Sequence, residues 1–376
     1  LPINLDGSLG LADWEAASLI PVSRVIVTHD GVNPQPFQWG DLSAAQQGLL
    51  VSSEVLDFLR GNNSYEERNI TSGGKATLLA LGLPADGFRD RLDKNGDVNL
   101  LGDLVHSAPT YVGVTNFHYP DDWGTIGVNE PEDSSYYSSF VAGLQLLNSG
   151  NGRTPLVYVG ANDGMLHAFN ADTGVEMFAY VPNQVFSNLI DLADPGYTHQ
   201  FYVDGSPTTV DVYIGGGWKT ILVSGLRAGG QGLFALDITN PSAFTTEASA
   251  KSKVLWEFTD RDTDSVSTTN ANFDSDLGYT FGQPSIVRMH NGKWAAIFGN
   301  GYNNTVDNEG DGASGDSTTG NAVLYIVDVE TGDLIKKIDT GEGSAADLTG
   351  NNYPNGLAEP AVVDIDGDSI VDYAYA

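Results

Sequence analysis

Four times along the chain a small or polar residue and a proline lead into an apolar run: Ala108-Pro109-Thr110-Tyr111-Val112, Ser206-Pro207-Thr208-Thr209-Val210, Gln283-Pro284-Ser285-Ile286-Val287 and Glu359-Pro360-Ala361-Val362-Val363. The prolines stand 98, 77 and 76 residues apart. Behind each of the first three comes a second apolar run ending in glycine: Val157-Tyr158-Val159-Gly160, Ile221-Leu222-Val223-Ser224-Gly225 and Ala296-Ile297-Phe298-Gly299. A third run follows (Leu166 to Asn170, Leu233 to Asp237, Leu324 to Asp328), then a fourth (Glu176 to Tyr180, Val254 to Phe258, Leu334 to Ile338). Asp172-Thr173-Gly174 and Glu330-Thr331-Gly332 make matching turns between the third and fourth runs.

Four short strands per repeat predict propeller blades, here an all-β arc of three blades and the opening of a fourth. A bare blade needs about 40–50 residues, so the longer spacing implies insertions. They are placed at 115–154, 260–277 and 303–320, rich in Asp, Asn, Ser, Gly or Tyr, and expected as exposed loops on one rim. Propellers close with about four to eight blades, so further blades are expected after Ala376 in a parent protein.

Residues 1–103 read differently, as a mixed, partly helical segment packing on the propeller of residues 104–376. Ser43 and Gln46 make a capping-box pattern, and Ala45, Leu49, Leu56 and Leu59 fall near one helical face, with Gly61 as the stop. Ser52-Ser53 is expected to divide this stretch into two short helices.

Composition narrows the function. Against 49 Asp+Glu there are 17 Lys+Arg, a net charge of -32. That field repels phosphate backbones and anionic lipid, which argues against nucleic acid and membrane surfaces and in favour of cations. Zero cysteines remove disulfides, thiolate metal sites and cysteine nucleophiles. No apolar run approaches transmembrane length, and the opening LPINLDGS is not a signal peptide, so the chain reads as a processed piece.

The candidate chemistry lies in Asp364-Ile365-Asp366-Gly367-Asp368-Ser369-Ile370-Val371-Asp372. Carboxylates occupy positions 1, 3, 5 and 9, and the Ile370 carbonyl occupies position 7. Calcium takes six to eight hard oxygens in flexible geometry, and alternate positions of a curling loop turn theirs inward. Position 6 is Ser369 and position 12 is Tyr375, so this is not an EF-hand. The expected metal ligands are Asp364, Asp366, Asp368, Ile370 and Asp372. Asp93-Lys94-Asn95-Gly96-Asp97-Val98-Asn99, with Asp103 near it, resembles the start of a calcium loop, but Lys94 and the missing terminal spacing favour a surface turn. Asp307, Glu309, Asp311 and Asp316 are read as acids of a solvated insertion. His106, His167 and His199 lack metal-ligand spacing and are read as packed or surface histidines. Arg60-Gly61-Asn62 is not an Arg-Gly-Asp adhesion tripeptide. No nucleophile–base pair or phosphate-binding loop stands out.

These features resemble the C-terminal region of the PilY family of type IV pilus proteins. The resemblance runs through Arg24-Val25-Ile26-Val27-Thr28, Leu101-Gly102-Asp103-Leu104-Val105-His106-Ser107, Tyr202-Val203-Asp204-Gly205-Ser206-Pro207 and Gly299-Asn300-Gly301-Tyr302-Asn303. Its most specific stretch is Val157-Tyr158-Val159-Gly160-Ala161-Asn162-Asp163-Gly164-Met165-Leu166-His167-Ala168-Phe169, and the acidic loop matches the family's calcium loop in spacing. It implies a modified quinoprotein-like β-propeller, seven-bladed when complete, exported to the outer membrane, cell surface or pilus tip. It further implies a non-enzymatic role in pilus biogenesis, adhesion and twitching motility, with minor pilins and host or surface ligands as partners. Calcium occupancy would then oppose retraction.

Two other functions fit a propeller. A pyrroloquinoline-quinone dehydrogenase often carries a cysteine pair and regular Trp motifs, which this chain lacks. An integrin-like ligand-binding propeller repeats its calcium loops from blade to blade, whereas the full pattern occurs once here.

Overall fold

The computed structural model describes residues 24–92, 98–123, 131–260, 272–305 and 317–376. Strands β1 (Ile26–His29) and β2 (Pro34–Pro36) precede the blades. The first blade is β3 (Thr110–Val112), β4 (Leu156–Ala161), β5 (Met165–Asn170) and β6 (Glu176–Val181). The second is β7 (Thr208–Ile214), β8 (Gly217–Gly225), β9 (Gly232–Asp237) and β10 (Val254–Thr259). The third is β11 (Ser285–Arg288), β12 (Trp294–Gly299), β13 (Val323–Asp328) and β14 (Leu334–Asp339). A hairpin of β15 (Ala361–Val363) and β16 (Tyr373–Tyr375) comes last. Each blade is an antiparallel meander in chain order.

Burial follows the layering. Every residue of β12 is buried, since a middle strand is covered on both faces, while no residue of the outermost β14 is buried. The glycines ending the second strands mark where successive blades touch. A Cβ on Gly160 would stand 2.3 Å from the Val203 carbonyl oxygen, one on Gly225 2.9 Å from that of Thr280, and one on Gly299 2.4 Å from that of Leu357. In each case the contacted backbone leads into the next blade, so only a residue without a side chain lets the blades close up. Side chains of the proline-led segments complete the lashing: Ser107 Oγ donates to the Gly205 carbonyl, Gln283 Nε2 to that of Ser206 and Ser285 Oγ to that of Pro360.

The N-terminal residues extend the first blade. β1 pairs in parallel with β6, Val27 opposite Tyr180, and β2 pairs antiparallel with β1, making a six-stranded sheet. Helices α1 (Ala44–Leu50) and α2 (Ser53–Leu59) sit against it. The capping box at Ser43 forms, and Ser52 caps the second helix. Gly61, at φ 106, ends the pair. A further helix, α3 (Ser72–Ala80), is capped by Thr71 and was not expected from a sequence with two glycines in its first turn.

The insertion after β3 departs from the expected exposed rim loop. It carries helix α4 (Tyr137–Gly150) and buries Trp123, Glu132, Tyr137 and Leu144. Tyr137 Oη donates to Asp211 Oδ2 at 2.8 Å, and Trp218 Nε1 donates to the Ser135 carbonyl at 2.6 Å, fastening the insertion to the second blade. Tyr119 stacks on Trp218 (5.5 Å, 17°) and meets Tyr137 and Trp294 edge-on. Aromatic area outweighed the polar composition of this segment. Most of the other two insertions lies outside the described residues.

Candidate metal centre

The acidic segment forms the connection of the β15–β16 hairpin. Val363 pairs with Tyr373, and the Asp372 amide donates to the Val363 carbonyl at 3.0 Å, so the intervening residues must curl back on themselves. Gly367 (φ 80) and Ser369 (φ 69) take left-handed conformations that permit the curl. Asp364 accepts the Gly367 amide at 2.7 Å on Oδ1 and the Ser369 amide at 2.8 Å on Oδ2. Asp372 Oδ2 accepts the Ile365 amide at 2.8 Å, and its Oδ1 lies 3.0 Å from His290 Nε2. The Ile365 amide and then His290 hold the Asp372 carboxyl below its usual range.

One carboxylate oxygen from each of Asp364, Asp366 and Asp372 lies within 4.8 Å of the others, the sole such group of three among the described residues. The donor set is hard oxygen on a short loop, which suits calcium and gives a soft metal no sulfur to prefer. Asp368 stands outside that group. Its Oδ1 accepts the Ile370 amide at 2.8 Å, and it lines a cleft with Ser369, His118, Pro120 and Trp123. Ile370 is 1% exposed, and its side chain packs in the aromatic cluster around Trp218 and Trp294. Of the four expected carboxylates, three converge and Asp368 lines the cleft beside the insertion, while the buried Ile370 side chain anchors the residue whose carbonyl was the fifth expected ligand.

The histidines have carboxylate partners that spacing did not reveal. His167 is fully buried between Asp163 and Glu176, and Arg24 makes a two-point pair with Glu176 at 2.7 and 2.8 Å. His106 pairs with Asp204 at 2.6 Å and His199 with Asp103 at 2.8 Å. Arg60 is buried against Glu247 and the Phe37 carbonyl, so it is not presented for adhesion. Residues 93–97 and the acids Asp307, Glu309, Asp311 and Asp316 lie outside the described residues.

Repeated four-stranded meanders, contacting one another through their proline-led first strands, define an arc of a β-propeller. The family model for the PilY1 beta-propeller domain matches residues 101–376, and the chain belongs to that family. It is 37% identical to the type IV pilus biogenesis factor PilY1 of Pseudomonas aeruginosa strain PAK, over 96% of this chain and 27% of that protein. It is 43% identical to a PilY1 homolog of Xylella fastidiosa strain Temecula1, over 87% of this chain and 18% of that one. The chain thus spans about a quarter or less of these relatives. A crystal structure of the Pseudomonas aeruginosa PilY1 C-terminal domain aligns with TM-score 0.46 at 38% identity, over 66% of this chain and 40% of that one. Among the described residues no helix is long and apolar enough to cross a membrane.

Proposed function

We propose that this chain is the propeller portion of a type IV pilus biogenesis factor that acts by binding, without catalysis, at the pilus tip or cell surface. Its acidic loop holds calcium, and occupancy of that loop regulates extension, retraction and attachment. The observation that carries the reading is the convergence of Asp364, Asp366 and Asp372 on one hairpin of a chain whose relatives are pilus biogenesis factors. Without a cation these carboxylates repel one another; a bound calcium would bridge them and hold the hairpin closed. The proposed ligand set remains Asp364, Asp366, Asp368, the Ile370 carbonyl and Asp372, with the three converging carboxylates as its core. Seven blades in the complete propeller, the mixed N-terminal segment packing on them, minor pilins and surface ligands as partners, and export to the envelope belong to the same reading.

The test is allelic replacement of Asp364 and Asp366 by Ala in the bacterium that carries the protein, with surface pili counted and twitching zones measured. Altered piliation or twitching with wild-type protein levels supports the proposal. Wild-type pili, motility and attachment at every calcium concentration would refute it. Quinone-dependent oxidation of an alcohol by the purified protein would refute the non-catalytic reading.

A further inference from the structure

The acidic loop is joined to the insertion 115–154 by a chain of buried contacts that the metal reading does not use. Arg288, at the end of β11, is 1% exposed and works in two directions. Its carbonyl accepts the Val371 amide at 2.9 Å, fixing the backbone next to Asp372. Its guanidinium grips Glu132 of the insertion, Nε to Oε1 at 2.8 Å and Nη2 to Oε2 at 3.3 Å, and lies 4.6 Å from the centre of the Trp123 ring. Trp294 Nε1 also donates to Glu132 Oε1, at 3.1 Å. Beside this pair the Ile370 side chain plugs the cluster that contains Trp123, Tyr137 and Trp218. The two residues before Asp372 are therefore held from outside the loop, one by its side chain and one by its amide. The loop's remaining bonds are internal to the hairpin, apart from the His290 contact.

We infer that Trp123, Glu132 and Arg288 form a positioning clamp that sets the loop's affinity for a divalent cation, and that occupancy of the loop in turn orders the insertion. The inference rests on the calcium reading above. Asp372 must lie within reach of Asp364 and Asp366 to share an ion, and its position follows from where Ile370 and Val371 are seated. If the clamp loosens, Asp372 samples other positions and the ion meets a site no longer organised in advance. Coupling between two sites is reciprocal, so whatever the clamp adds to ion affinity, the ion adds to the ordering of the clamp. Burial also ties the two side chains together: a paired Arg288–Glu132 is tolerated in the interior, while either charge alone is costly.

The experiment combines calcium calorimetry with hydrogen exchange on the whole chain. Trp123→Ala and Glu132→Gln, neither of which touches the carboxylate cluster, should weaken calcium binding at least about fivefold with unchanged stoichiometry. Glu132→Asp, which keeps the charge, should recover part of the loss. In the wild type, calcium should slow amide exchange across 115–123 and 131–146. This second readout needs no variant, so misfolding of Trp123→Ala leaves the inference testable. Wild-type calcium binding with no change in insertion exchange, or folded clamp variants with wild-type affinity, would overturn the clamp alone. A wild-type chain that binds no calcium at the loop would overturn the metal reading and the clamp together.

Discussion

His167 Nδ1 lies 2.7 Å from Glu176 Oε1, both side chains being almost wholly shielded from solvent. Burial works against charge on the imidazole, but Asp163 and Glu176 together outweigh it and push its pKa up to about 9. Burial likewise opposes charge on Glu176, yet Arg24 and His167 hold it down to about 2. The network fastens the start of the described chain (Arg24) and the segment before β3 (the Gly102 amide on Asp163, 3.0 Å) to the first blade.

Its pH signature has two limbs. A histidine raised on folding adds stability that is complete below its unfolded pKa, about 6.5, and is lost as pH climbs through about 9. A glutamate lowered on folding adds stability above its unfolded value that is lost as pH falls through about 2. His167→Gln leaves the buried Glu176 and the half-buried Asp163 facing one arginine and should cost about 3–5 kcal/mol. Melting temperatures between pH 6 and 10 should decline in the wild type more steeply than in the variant. Parallel curves would show that His167 is neutral in the fold.

Glu257 runs the opposite way. It is buried on β10, accepts the Tyr180 hydroxyl at 2.6 Å and the Asn183 amide at 2.8 Å, and burial pushes it up to about 7. A carboxyl raised on folding binds its proton better in the native state, so it contributes a stability loss as pH rises from about 4.5 to about 7. Glu257→Gln should remove that loss, on the order of 3 kcal/mol at most. Denaturant titrations of both proteins at pH 5 and pH 8 check it: the variant should gain on the wild type at pH 8 and not at pH 5.

The blade-contact glycines should behave unlike glycines that face open space. Gly160→Ala drives a methyl against the Val203 carbonyl and should destabilise by about 1–3 kcal/mol. Gly48 and Gly143 lie in helices with nothing within 4 Å of a built Cβ. Alanine at either should stabilise by about 0.5–1 kcal/mol. Equal effects at the two kinds of position, measured by thermal denaturation, would contradict the packing role.

The blades were legible because each strand's signal is local. A proline start, an apolar run and a glycine stop recur with little dependence on distant residues, and the structure shortens or lengthens each by only a few residues. The helix break at Ser52 was legible for the same reason, being a cap followed by its own first turn. What escaped was long-range. The parallel seat of β1 on β6 joins residues about 150 apart, and the partners of His106 and His199 lie nearly a hundred residues away. The insertion misled by composition: Ser, Asn and Gly around Tyr119, Trp123 and Tyr137 read as solvent-exposed until those rings met Trp218 and Trp294. At the loop, alternation pointed to four acids, of which Asp364, Asp366 and Asp372 lie together. It could not separate Asp368, which lines the cleft beside His118, Pro120 and Trp123, from the three that converge, because those cleft residues lie about 250 positions earlier in the chain.

That separation predicts an order of effects. Asp364→Ala and Asp372→Ala each remove a member of the convergent group and should abolish most calcium binding, whereas Asp368→Ala should weaken it less. Magnesium should substitute poorly at all of them, since it demands octahedral geometry and keeps its waters. Equal losses across the three variants would return Asp368 to the inner ligand set.

The central claim is most directly tested by calorimetric titration of calcium into the wild-type chain and into Asp372→Ala, with unfolding followed in parallel. The account predicts binding at the loop in the wild type, with about 2.7 kcal/mol of added stability at a hundredfold excess over Kd. It predicts loss of that heat and that stabilisation in the variant, with the blades still folded. The same stoichiometry and affinity in both proteins would contradict it.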